Sequence, residues 1–303
     1  MKIIIAGGAG FIGTMLAARF TAEGHTVTVL DRGRPPISPL PDEAFIISDL
    51  TKPGAWQDEV TKNDVVINLA GASIFRRWTE RGKKLILDSR LLSTRNIVDA
   101  LALRPSPGIR LFSVSGVGYY GYHGDELLAE DAPPGDDFIA SVAAQWEEAA
   151  LRAQDYGARV VVCRFGHVFG KNGGVLPQLA LLSRLHLGTR WGNGLQWVSW
   201  VHEQDIANAI IWMFEHKEIA GPVNLVSPHP ISNGEMMATI SQSVHAKPLP
   251  PRIPKIVLRL AAGEFASVFI NGQRVSPKRL LESGFTFQYP LFRKALESFE
   301  ETI

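Results

Sequence analysis

The sequence predicts an α/β chain, a doubly wound parallel sheet with a smaller C-terminal lobe. Short β-branched runs alternate with longer helical segments through the first half, which is the pattern of a parallel sheet covered on both faces. A glycine-rich turn, "GGAGFIG", joins the first run to the first helix. Beyond Gly170 the alternation weakens, and four prolines fall between Lys247 and Pro254, marking a change of architecture. The expected division is 1–170 for the sheet domain, which also recovers 198–228. Residues 171–303 are mainly the lobe.

The elements follow in order. "KIIIAG" reads as a buried strand, short and continuously apolar. "FIGTMLAARFTAEG" is a helix that stops at Gly24, "TVTVLD" the second strand, and "RGRPPISPLPDE" a proline-rich loop. "AFIISDL" and "DVVINLAG" are the third and fourth strands. "TERGKKLILDSRLLSTRNIVDALAL" is a long helix capped by Thr79, with Pro105 beyond its end. "RLFSVSG" is the fifth strand, "IASVAAQWEEAALRAQDYG" a helix stopped by Gly157, and "ARVVVCRFG" the sixth strand. Past Gly170, "LPQLALLSRLHLG" and "DIANAIIWMFEH" read as helices and "GPVNLVS" as a further strand. Asn233 is the expected cap of "GEMMATISQSV".

Composition bounds the function. The 303 residues carry a net charge of +1, so no strong field draws the chain to nucleic acid or an anionic membrane. The lone cysteine, Cys163, lies in the apolar run "VVVCRF" and has no intrachain partner, which fits a reducing cytosol. No window offers the ~20 uncharged apolar residues of a membrane span. "IPKIVLRLAAGEFASVFI" is interrupted by Lys255, Arg259 and Glu264 and reads as a docked helix. The eight histidines show no metal-ligand spacing. The expectation is a cytoplasmic protein, monomer or homodimer, that takes a small-molecule substrate and holds no metal.

The turn after the first strand points to a dinucleotide. Gly7, Gly10 and Gly13 satisfy one glycine spacing, and Gly8, Gly10 and Gly13 another. Such glycines permit a tight turn, close approach of a pyrophosphate, and packing of helix on strand. The helix that begins with Phe11 and Ile12 offers free N–H groups to phosphate. Asp31 closes the second strand, where a carboxylate takes ribose hydroxyls and selects NAD(H). Arg32 and Arg34 follow, and they suit the 2′-phosphate of NADP(H). Two unit charges ~4 Å apart repel by ~4 kcal/mol at an effective dielectric near 20, so Asp31 must turn away or be offset by Arg32 if NADP(H) binds. NADP(H) is favoured and NAD(H) remains open. Asp49 and Leu50 stand where an adenine would lie, and Leu69, Ala70 and Gly71 would let a dinucleotide pass. Both segments also suit plain strand-end turns. Arg77 and Trp78, with Arg76, lie past the fourth strand, where an anionic or aromatic substrate could dock.

Together these pieces resemble an extended short-chain dehydrogenase/reductase, a Rossmann fold. "SVSGVGYYG", "CRFGHVFG", "GNGLQWVSWVHEQDIANAI" and "GPVNLVS" extend the likeness over nearly the whole chain. "NLAGASIFRRWTERGKKLILDSR", "QWEEAA" and "NGQRVSPKRLLESGFTF" resemble the YfcH-like epimerase family proteins, atypical extended members with a small C-terminal domain of their own. The resemblance implies an oxidoreductase or nucleotide-sugar-epimerase-like activity.

It also implies a Tyr as acid/base, a Lys four residues on, a Ser and an Asn. Tyrosine reaches a useful pKa only beside a cation. Ser115 matches the serine when Tyr119 anchors the register; Tyr120 would put Gly116 there. Phe138 and Val142 occupy the Tyr and Lys positions, and Arg90 falls near the Asn. Tyr119 and Tyr120 are then the substitute proton donors to examine. Ser113, Arg90 and Arg164 are counted with the cofactor groove, and Gln196 and Trp200 with a substrate wall. A rival reading is a cofactor-binding sensor or scaffold without turnover.

Overall fold

The structure is a computed structural model that describes residues 1–35, 40–103, 108–247, 249 and 252–299. Pro105 and three of the four prolines of the 247–254 stretch lie outside the described residues.

Seven strands form the central sheet: β1 (Lys2–Ala6), β2 (Thr26–Asp31), β3 (Phe45–Ile47), β4 (Val65–Asn68), β5 (Arg110–Gly116), β6 (Arg159–Phe165) and β7 (Gly221–Leu225). Their spatial order is β7-β6-β5-β4-β1-β2-β3, and every pairing is parallel. Strand order reverses at β1, so the crevice between the carboxyl ends of β1 and β4 is where such a sheet binds ligands. The third strand is shorter than expected, because Asp49 and Thr51 form a side-chain-bonded turn in place of its end.

The continuous apolar strands are explained by cover on both faces. Ile3 and Ile5 face a cluster with Leu16 and Phe20 of α1 (Phe11–Ala22) and Ile206, Ile210 and Phe214 of a helix at Glu203–Glu215. Ile4, between them, faces Ile97 and Leu101 of a helix at Glu80–Ala102. That helix starts at Thr79, whose hydroxyl accepts the Gly82 N–H at 3.1 Å. We name it α3, after a short α2 (Trp56–Thr61). Helix α4 (Phe138–Leu151) is capped by Asp137, whose side chain accepts the Ala140 N–H. It is shorter than the predicted segment, which tightens into a 3₁₀ turn at Arg152–Tyr156 before Gly157.

The C-terminal part has its own core. Helices α5 (Leu176–Arg184) and α7 (Asn233–Ser243) line it, whereas the helix at Glu203–Glu215, α6, packs on the central sheet, and α8 (Lys255–Ala262) follows outside both cores. Phe169, Trp200, Met236, Met237, Phe292 and Phe299 form its centre. Ser232, not Asn233, caps α7, its hydroxyl accepting the Glu235 N–H. Among the described residues no helix is long and apolar enough to cross a membrane, and no His/Cys/Asp/Glu group could hold a metal.

Candidate functional site: a groove at the switch point of the sheet

The glycine turn sits at the carboxyl end of β1, and its glycines do different jobs. Gly7 has φ +75°, and a Cβ there would lie 2.8 Å from the backbone of Ala70. A Cβ on Gly13 would come within 2.4 Å of Gly8. Those two glycines hold the turn against β4 and α1. Gly10 is different: a Cβ there would meet only the Gly7 carbonyl, at 3.7 Å. Gly10 is exposed and caps α1 with no side-chain bond, and no acidic residue stands in the first turn. The free N–H groups and positive helix end are therefore open to an anion.

Asp31 turns toward this loop. Its carboxylate accepts the Ala9 N–H at 3.0 Å and the Arg32 N–H at 2.6 Å. Arg34 is tied to Asp42 at 2.7 Å. Arg32 is exposed, and its guanidinium makes no ion pair among the described residues. Asp49 is held below the usual carboxylate range by its hydrogen bond from the Thr51 hydroxyl, with smaller help from Lys52 and Arg32. Leu50 is buried, and its carbonyl accepts from Asn96 at 2.9 Å. The arginines after β2 thus divide: Arg34 is paired within its loop, and Arg32 acts on Asp49 only at longer range, with no ion pair among the described residues.

The far wall of the groove is the end of β4. Asn68 is fully buried; its amide donates to the Thr94 hydroxyl at 2.8 Å, and its carbonyl accepts the Ala70 N–H. Ser113, also buried, lies 3.4 Å from the same amide. Thr94 in turn accepts from the Trp146 indole at 2.8 Å. The Arg90 guanidinium lies 5.0 Å from the Trp146 ring centroid and donates to the Ala72 and Ile86 carbonyls. It also crowds Gly71, where a Cβ would lie 3.1 Å from its central carbon. Arg90 pairs with no carboxylate among the described residues, and burial pulls its pKa down to about 10. A charged, partly desolvated cation without a counter-ion therefore borders the Leu69–Gly71 backbone.

Three residues predicted for this region point elsewhere. Arg164 is 2% exposed. It forms a two-pronged pair with Glu147 of α4 at 2.9 and 2.8 Å and donates to the Tyr120 hydroxyl at 2.9 Å. Ser115 donates to the same Glu147 at 2.7 Å. Tyr120 is sealed from solvent, and its hydroxyl donates to Asn224 at 2.7 Å. Burial, opposed by Arg164, pushes the Tyr120 hydroxyl up to about 12. In this arrangement Arg164, Ser115 and Tyr120 knit β5, β6, β7 and α4 together rather than face the groove. Tyr119 is half-buried, with the Arg164 guanidinium 3.5 Å over its ring. Trp200, expected on a substrate wall, is fully buried because Phe169 and Phe292 pack edge-on against it.

Residues 3–226 match the NAD dependent epimerase/dehydratase family. The chain belongs to that family. Residues 253–299 match a domain of unknown function, DUF1731. The epimerase family protein YfhF of Bacillus subtilis is 34% identical over 290 residues, covering 95% of this chain and 94% of its own. The chloroplastic epimerase family protein SDR39U1 homolog of Arabidopsis thaliana is 34% identical over 304 residues, covering 98% and 86%. The crystal structure of the human epimerase family protein SDR39U1 (isoform 2) with NADPH shares the fold at TM-score 0.87 and 32% identity, over 100% of both chains.

The family's nicotinamide dinucleotide fits the residues present. Gly10 leaves a cradle that a Cβ would fill, the first turn of α1 supplies N–H donors, and Arg90 brings a cation without a carboxylate. The sequence resemblance expects the acid/base pair at the start of α4, and α4 contains neither Tyr nor Lys. Phe138 packs edge-on to Trp78 at 5.2 Å between centroids, with the Lys83 ammonium 5.2 Å over its ring. Val142 is buried in the same cluster. A one-residue change of register does not help, since Ile139 and Ala143 are apolar too. Ile139 presses on Gly118, where a Cβ would meet it at 2.4 Å.

The C-terminal segment closes over this face. Phe265 packs on Trp78 at 5.5 Å, Glu264 pairs with Lys83 at 2.6 Å, and Arg77 donates to the Ala261 carbonyl at 3.2 Å. Gln196 donates to the Trp191 and Phe269 carbonyls, leaving its own carbonyl oxygen buried without a partner. Sequence reasoning missed Glu147, Thr94 and Phe265. Only Glu147 had a visible cue, in "QWEEAA", and nothing local pairs it with Arg164.

Proposed function

We propose that this chain is an NADP(H)-dependent oxidoreductase or epimerase-like enzyme of the short-chain dehydrogenase/reductase type, of the YfcH-like kind. Its small substrate, of nucleotide-sugar or aromatic character, sits between the sheet edge and the C-terminal segment. The observation that carries the cofactor choice is the pairing at the end of β2. Asp31 spends its carboxylate on the Ala9 and Arg32 N–H groups, and the Arg32 guanidinium makes no ion pair among the described residues. A 2′-phosphate there meets a cation and does not meet a free carboxylate. The NADPH in the human relative's structure supports this choice. When bound, the cofactor supplies hydride transfer. The protein's residues bind its phosphates at the start of α1, direct Arg90 at the groove, and exclude water with Trp78, Phe138 and Phe265.

A charge-assisted bond to phosphate contributes ~1.5–3 kcal/mol, so Arg32→Ala should weaken NADPH binding by ~10–100-fold and leave NADH within about twofold. Cofactor fluorescence titration reads both. Equal loss for the two cofactors refutes the assignment. The absence of Tyr and Lys from α4 favours a second reading, a cofactor-binding protein without turnover. A panel of carbonyl compounds and nucleotide sugars that oxidises no NADPH would support it.

A further inference from the structure

Hydride chemistry on an alcohol or ketone must also move a proton, and α4 offers no Tyr or Lys to carry it, its Glu147 being held by Arg164 and Ser115. The carboxyl edge of the sheet holds one of the right kind. His167 lies two residues past β6, inside "CRFGHVFG". Phe165, the last residue of β6, is in register with Gly116, the last of β5. His167 therefore stands at the same carboxyl edge of the sheet as the groove, two strands from β4 and about 7 Å of extended chain beyond that pair.

Its ring is oriented by the backbone. The Ser199 carbonyl accepts the His167 backbone N–H at 2.8 Å and lies 3.2 Å from its Nδ1. A carbonyl only accepts, so Nδ1 carries the proton and the neutral ring keeps a bare lone pair on Nε2. Gly166 makes the close approach possible, since a Cβ there would lie 2.6 Å from the Ser199 oxygen. Nε2 has no hydrogen-bond partner among the described residues and is not among their buried unpartnered atoms. The residue is half-buried. Burial lowers the His167 pKa, opposed by the Ser199 carbonyl, and no charged side chain contributes. Burial thus favours the neutral ring. His202 shows the contrast: its Nδ1 accepts the Gln204 N–H, its Nε2 lies 3.0 Å from the Ser298 hydroxyl, and it is sealed.

We propose that His167 Nε2 is the proton-transferring group of this chain, the general acid/base in place of the missing tyrosine. It rests on the cofactor reading above. For a secondary alcohol, the O–H proton passes to Nε2, the carbinol C–H leaves as hydride to the oxidised nicotinamide, and the carbonyl forms. The imidazolium then releases its proton to water. Reduction runs the same steps backward, with the imidazolium as donor and the reduced nicotinamide as hydride source.

The test uses the wild-type protein, so it does not depend on a variant folding. Diethyl pyrocarbonate attacks neutral, accessible imidazole nitrogens, and peptide mass spectrometry reads each site. At pH 7 His167 should label at least about tenfold faster than His202, which reacts only through local opening. NADP⁺ should slow His167, whereas adenosine 2′,5′-bisphosphate, which fills only the adenosine half of the groove, should not. His167 that stays unlabelled, or that saturating NADP⁺ does not protect, overturns the proposal. Cofactor fluorescence on the same samples separates this failure from failure to bind cofactor. Once a substrate is known, His167→Gln should lower kcat by ~10²–10⁴ with NADPH affinity kept. His167→Asn should lower kcat likewise, and unchanged kcat in either variant overturns the proposal.

Discussion

Gly10→Ala separates binding from folding at the glycine turn. In the free protein the new methyl meets nothing closer than 3.7 Å. Gly10 has φ −77° and ψ 174°, which alanine adopts without strain. Alanine is a poorer helix cap than glycine by several tenths of a kcal/mol, and it gains about 0.4–1 kcal/mol by restricting the unfolded chain. The two offset, so stability should stay within about 0.5 kcal/mol. With roughly 2 cal/mol/K of unfolding entropy per residue over 303 residues, Tm should move by about 1 °C or less. The same methyl fills the open face where a pyrophosphate must approach, and NADPH affinity should drop at least about tenfold, ~1.4 kcal/mol. Gly13→Ala should behave differently, because its Cβ would lie 2.4 Å from Gly8. Overpacking there costs ~1–3 kcal/mol, and Tm should fall by several degrees along with affinity. The assays are thermal unfolding and NADPH fluorescence titration. Gly10→Ala binding NADPH as tightly as wild type would refute the assignment of that face.

Two further outcomes concern the fold that holds the groove. Glu147→Gln leaves the buried Arg164 without its counter-charge, and breaking a buried pair costs ~3–5 kcal/mol; urea unfolding at unchanged m should show it, and a loss below about 1 kcal/mol contradicts a structural role for the pair. Burial lowers His202 from 6.5 to about 4. The unfolded chain therefore takes up the proton first, and stability present above pH 6.5 is lost as the pH falls toward about 4. The loss reaches up to ~3 kcal/mol. The urea midpoint of His202→Asn should fall less over that window, and parallel pH profiles for both proteins would argue against this role for His202.

Where the sequence could be read, local pattern decided the structure. The unbroken apolar runs of β1 and β4 follow from cover on both faces, so they reveal a parallel sheet without knowledge of its partners. The turn from Gly7 to Gly13 is local as well, because the tight contacts it needs lie within it and at the end of β4. The absence of Tyr and Lys from α4 was visible for the same reason. Failures came where long-range pairing decides. Nothing near Arg164 announces that Glu147, Tyr120 and Ser115 converge on it, so an arginine at a strand end passed for a ligand contact. Trp200 looked like a pocket tryptophan because its partners, Phe169 and Phe292, lie far away in sequence. The length of β3 was overestimated because the Asp49–Thr51 turn competes with the strand through side-chain bonds. His167 was passed over within a motif read only for its arginine and glycine. Its tautomer depends on Ser199, which the sequence alone does not place beside it.

The most direct test of the central claim is a fluorescence titration of the wild-type protein with NADPH and NADH at fixed salt. Both cofactors should bind below the millimolar range, with NADPH tighter by an order of magnitude or more. Absence of binding by either cofactor would contradict the groove at the switch point as a dinucleotide site.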